Sequence, residues 1–132
     1  MPIKTHWHNT EKTILYISYQ EKWTLTEYHE NITFNAQAIR EQEHGIVTIA
    51  DFTESGGIPN GFMSSGGHSE SITPDNNIGM VLFGLNTYMT MMAKMFAKVF
   101  PKSTADMVIA SNQEEALQLA QNMLYDLKQN PL

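Results

Sequence analysis

Asp51, with Thr53, Ser55 and Gly56 close behind it, is the most suggestive group of chemistry-bearing residues in the chain. A carboxylate ending an apolar run, followed by hydroxyls and glycine, could build a small polar site. Asn86 and Ser111 occupy comparable places, just after the strand-like runs 78–84 and 105–110. Ligands of open α/β sheets gather beyond the carboxyl ends of the strands, so Asp51, Thr53, Ser55, Gly56, Asn86 and Ser111 form one candidate switch or binding patch. The same residue types also end strands, make turns and cap helices, and both readings stand at this point.

Other constellations fall short of a reaction. Ser64, Ser65 and Ser69 lie near His68, but the Gly-x-Ser-x-Gly elbow of a serine hydrolase is absent. Gly56-Gly57 and Gly66-Gly67 lack both the Gly-x-Gly-x-x-Gly spacing of a dinucleotide fold and the Gly-Lys-Ser/Thr ending of a phosphate loop. Among five histidines, His6 and His8 alternate as two ligands on one strand face would, yet His29, His44 and His68 supply no marked third ligand. With no cysteine there is no thiolate nucleophile, disulfide framework or cysteine-ligated metal. The expectation is a domain with no catalytic residues, cofactor or metal.

The elements that must position the patch follow from periodicity. Ile3–His8 and Thr13–Tyr19 read as a hairpin across the turn Asn9–Lys12. Leu25, Tyr28, Ile32, Ala36 and Ile39 recur at helical spacing, with Thr24 and Glu27 as a capping box, which predicts a helix over 25–43 ending at Gly45. Ile46–Asp51 and Ile78–Gly84 read as buried strands, and Ala105–Ala110 as a third. The stretch 52–77 holds five of the eight glycines and reads as a long loop, with a short helix after Pro59 using Phe62 and Met63. Leu85, Tyr88, Met92, Met95 or Phe96, and Val99 predict a methionine-rich helix, with Met91 off that stripe beside Lys94 and Lys98. A last helix opens at Ser111 or Asn112 and buries Ala116, Leu117, Ala120, Met123, Leu124 and Leu127. The order β-β-α-β-(α)-β-α-β-α predicts an α/β domain with a mixed, mostly parallel sheet.

Size and charge bound the rest. A chain of 132 residues, 42% hydrophobic, suits one domain with a true core. Eight basic residues scattered among fourteen acidic ones give a net charge of −6, which argues against nucleic acid as a partner. No apolar run approaches the roughly 20 residues of a membrane span, and residues 1–8 lack the features of a signal peptide. Together with the missing cysteines this leads to the expectation of a soluble, cytoplasmic protein.

The paired N-terminal strands, the helix after Trp23, the strand ending in Asp51, the strand 78–84 and the closing segment Ser111-Asn112-Gln113-Glu114-Glu115-Ala116 resemble the STAS-like superfamily of anti-sigma-factor antagonists, especially its divergent bacterial single-domain members. The resemblance covers nearly the whole chain. It implies helices packed mainly on one face of the sheet and a regulatory protein–protein role, often switched by phosphorylation after the third strand. Of the family's Asp-Ser-Ser/Thr-Gly phosphosite only Ser55-Gly56 is matched here. The leading expectation is therefore a non-enzymatic interaction module using the surface around 52–77, with a protein partner or a second copy of itself. The alternative is a carrier for a small apolar, lipid-like ligand held between the sheet, the 52–77 segment and the methionine-rich helix.

Overall fold

A computed structural model describes residues 2–104 and 106–129. Strands β1 (Ile3–Trp7) and β2 (Ile14–Glu21) form an antiparallel hairpin, Ile3 facing Tyr19 and Trp7 facing Leu15. Asn9 closes the turn: its Oδ1 accepts from the Thr13 and Ile14 amides at 3.0 and 3.3 Å. Helix α1 (Leu25–Arg40) starts at the expected capping box, Thr24 Oγ1 accepting from the Glu27 amide and Glu27 from the Thr24 amide. It stops at Arg40 rather than 43. Asn76 Nδ2 fixes that end by donating to the carbonyls of Ile39, Gln42 and His44 at 2.7, 3.2 and 3.1 Å, the first of which a longer helix would have used.

Strands β3 (Ile46–Ser55), β4 (Asn77–Phe83) and β5 (Met107–Ile109) extend the sheet in the order β1-β2-β3-β4-β5, with every pair from β2 onward parallel. The predicted start of β5 at Ala105 lies outside the described residues. Consecutive parallel strands added in one direction through right-handed crossovers carry their connecting helices on one face. Helices α1, α2 (Gly66–Ile72) and α3 (Thr87–Val99) accordingly share a face, over Ile17, Tyr19, Ala50 and Leu82. Among the described residues no strand follows α4 (Gln113–Gln129), which lies on the opposite face and packs Ala116 and Ala120 on Val47, Ile49 and Val81. Its predicted stripe, with Leu117, Met123 and Leu124, meets that core.

Two expectations are corrected. In the stretch 52–77 the short helix expected after Pro59 is present, but the remainder is not one long loop. β3 continues through Ser55, and a 3-10 turn at Phe62–Ser65 runs directly into α2. Gly66 permits this because the helix lies against Phe100, whose ring would collide with an added Cβ. In α3 the core-facing residues are Met89, Ala93 and Phe96, while Tyr88, Met95 and Val99 are exposed along with Met91. The helix is apolar nearly all round, so spacing alone admits either stripe.

Candidate functional site

Gly84 and Ser111 follow β4 and β5, whereas Asp51, expected at the end of its strand, lies inside β3, paired with Ser18 and Phe83 before the strand ends at Ser55. Each member of the predicted patch has a hydrogen-bond partner. Asp51 Oδ1 accepts from the Thr53 amide at 2.9 Å and from the Thr53 hydroxyl, while Oδ2 accepts from Tyr16 Oη at 2.8 Å. Tyr16 Oη in turn accepts from Gln113 Nε2 at 2.9 Å, tying α4 to the sheet. Asn86 Oδ1 caps α3 through the Met89 amide at 2.8 Å, and the Ser111 amide donates to Glu115 at 2.8 Å at the start of α4. The cap on that helix is Asn112, which accepts from the Glu115 amide.

Ser55 and Gly56 are carried away from Asp51 by a bulge. From Ser18↔Asp51 to Gln20↔Glu54 the pairing advances two residues on β2 and three on β3, so side-chain alternation reverses. Ser55 Oγ therefore meets the helix-covered side, accepting from Trp23 Nε1 at 2.9 Å and donating to the Gly57 carbonyl at 2.9 Å. The Gly56 amide donates to the Glu21 carbonyl at 2.7 Å. Thr53 is exposed; Ser55 is half-buried.

The larger feature is a cavity of about 130 Å³ between the sheet and α1–α3. Its origin is a convergence of short side chains from separate elements: Thr48 and Ala50 on β3, Ala36 on α1, Ser69 on α2 and Ala93 on α3. Aromatic rings wall one end. Tyr19 stacks on Phe52 at 4.4 Å, and Trp23 packs against Tyr28 and Phe62 at 5.9 and 5.8 Å. None of the described lining residues carries a charge. The polar lining is mostly self-paired: Thr48 Oγ1 donates to Asn77 Oδ1 at 3.1 Å, and the Tyr28 and Ser69 hydroxyls lie 3.1 Å apart. Asn35 is the exception, since its buried Oδ1 finds no partner among the described residues.

No residue of the predicted patch lines this space. The carrier alternative expected an apolar ligand between the sheet, the 52–77 segment and the methionine-rich helix. The lining also takes Asn35, Ala36 and Ile39 from α1, of which Ala36 and Ile39 were read as its apolar stripe and Asn35 was not singled out. Among the described residues no three His, Asp or Glu side chains gather as a metal would require, and no helix is long and apolar enough to cross a membrane. His6 instead stacks on Tyr16 at 5.2 Å.

Burial raises the tyrosines that bound these regions. Tyr16 is pushed up to about 12, first by desolvation and then by its bond to Asp51. Tyr19 lies well above its ordinary value through desolvation, and Tyr28 is raised by the same cause against the opposing bond from Ser69. A folded pKa above the unfolded value contributes stability that is complete below pH of about 10 and is lost as pH rises through the folded pKa. Tyrosinate absorbance and circular dichroism followed together should show these three tyrosines ionising only as the fold is lost, above pH of about 10. Ionisation of all the tyrosines near pH 10 with the fold intact would contradict their burial.

No protein-family model matches the chain, and no curated protein does.

Proposed function

We propose that this domain binds a small, uncharged, apolar molecule in the cavity between the sheet and α1–α3, as a carrier or ligand sensor. The observation that carries the reading is a space of about 130 Å³ lined mainly by aromatic and aliphatic side chains with no charge on its described walls. Apolar protein cavities of about 150 Å³ stay dry and accept a benzene-sized molecule. Small-molecule sites share this make-up, an apolar lining with few polar groups. Such a site calls for no nucleophile or base, in keeping with a binding rather than a catalytic role.

Toluene tests the proposal with the purified protein. A ligand that binds only the folded state raises the melting temperature as its concentration passes the Kd. Trp23, 4% exposed and on the cavity wall, should change its emission over the same concentration range. No thermal shift and no change in Trp23 emission up to saturating toluene would sink the reading.

A second reading, the regulatory interaction module, draws support from the resemblance in element order and from the outer face of α3. Tyr88, Met91, Met95 and Val99 are each about half exposed, at 55, 53, 48 and 58%, and Lys94 and Lys98 flank them. Flexible methionines suit adaptable protein contacts. Of the apolar residues of 52–77, Phe52, Ile58 and Phe62 pack inward, so this reading is better supported by α3 than by that segment. An interior that takes up no toluene would leave this second reading as the one the exposed surface favours.

A further inference from the structure

Resting on the cavity reading, we infer that the bound molecule carries a hydrogen-bond donor, a hydroxyl or N–H on an otherwise apolar neutral body, and that Asn35 receives it. Asn35 stands on α1 at 5% exposure and lines the cavity. Its Nδ2 donates to Asn31 Oδ1 at 2.7 Å, and Asn31 Nδ2 donates to Thr5 Oγ1 at 2.9 Å. This relay engages the donor end of the Asn35 amide and leaves Oδ1 as the buried side-chain acceptor without a partner among the described residues. A buried polar group left unpaired is costly, and native interiors seldom keep one without a reason.

The rest of the lining narrows the ligand. The hydroxyl of Thr48 is already committed to Asn77. No cation among the described lining residues could receive a carboxylate or phosphate, and burying an unpaired anion is strongly unfavourable. Asn35 Oδ1 is enclosed in the wall, and the terminal torsion of an asparagine is soft. A turn of the amide about that torsion would bring Oδ1 to an arriving donor. The cavity thus selects a neutral molecule of aromatic-ring size with one donor over both a pure hydrocarbon and an acid.

Phenol, toluene and benzoate are the probes, titrated calorimetrically into the wild type and Asn35→Leu. Phenol and toluene are near isosteres that differ in the donor, so the ratio of their affinities, compared between the two proteins, cancels their unequal transfer from water. The ratio of phenol to toluene affinity is expected to fall by about three- to tenfold in Asn35→Leu, the worth of one hydrogen bond. Toluene should keep its affinity, and benzoate should bind the wild type more weakly than phenol. An unchanged ratio would overturn the inference while leaving the cavity reading intact, because water or another protein group would then already serve the amide. Benzoate binding as tightly as phenol would overturn the neutrality of the ligand. If neither phenol nor toluene binds the wild type, the cavity reading falls and this inference with it. Should Asn35→Leu fail to fold, the wild type decides through the NMR shift of the Asn35 side-chain carbonyl carbon. Movement with phenol but not toluene supports the assignment, and equal response to both overturns it.

Discussion

Replacing Gly84 by alanine is expected to destabilise the domain by about 2–5 kcal/mol, a large part of the about 5–15 kcal/mol that holds a domain of this kind together. Two independent effects add at this position. Its φ of +80° lies in the left-handed region, which costs an L-residue about 1–2 kcal/mol. An added Cβ would also lie 2.5 Å from the Thr53 amide nitrogen and 2.9 Å from its Cα, which are backbone atoms held in the β3 bulge. Overpacking of this kind typically adds about 1–3 kcal/mol, because a strand must move rather than a side chain. Gly67 is the internal control. It sits in the first turn of α2, and a methyl added there would meet nothing within 4 Å, so alanine should stabilise the helix by up to about 1 kcal/mol. Urea denaturation of both variants checks the pair; a Gly84→Ala protein as stable as Gly67→Ala would refute the close approach of β4 to the bulge.

The contrast between these glycines shows how far the sequence could be read. Local signals carried well: Thr24 with Glu27 marked the start of α1, and the Ala116–Leu124 stripe marked the buried face of α4. Both depend on residues three or four apart along one element. What failed to show depends on distant partners. Gly66 and Gly67 looked like loop residues because helix propensity counts against glycine, whereas the packing of Phe100 on Gly66 demands one. The extension of β3 through Glu54 and Ser55 was hidden by polar residues and by a bulge that breaks the two-residue alternation. On α3, two apolar stripes competed, and the sheet chose the one containing Met89 and Phe96.

The candidate site divides in the same way. Asn86 and Ser111 could be placed just beyond β4 and β5 by reading the chain, because strand ends are local features, but Asp51, read as the end of its strand, lies inside β3. The hydrogen bonds of the patch could not be read this way, since the Tyr16 and Gln113 groups that complete the Asp51 network lie 35 and 62 residues away from it in the chain. The short side chains that shape the cavity were least accessible of all. Ala36, Thr48, Ala50, Ser69 and Ala93 are ordinary singly, and only the layering of β3 beneath α1, α2 and α3 puts their missing volume in one place.

Ala50→Leu turns that missing volume into a change whose sign discriminates. Ala50 is 5% exposed on the central strand, between Ile17 on β2 and Leu82 on β4, and lines the cavity floor. Leucine adds three carbons there. At about 0.8 kcal/mol per buried methylene the gain is about 2.4 kcal/mol if the added atoms enter empty space. If the layer were close-packed, the same atoms would force neighbours off their rotamers and cost about 1–3 kcal/mol. The expected result is therefore a protein more stable than wild type by about 1–2 kcal/mol, allowing for the conformational freedom the leucine loses. Toluene should at the same time lose its ability to raise the melting temperature, since the ligand and the new side chain claim the same volume. A rise in stability with toluene binding retained would mean that the side chain fills a recess apart from the ligand site. A fall in stability would remove the cavity itself, and with it the physical basis for a bound apolar molecule between the sheet and its three helices.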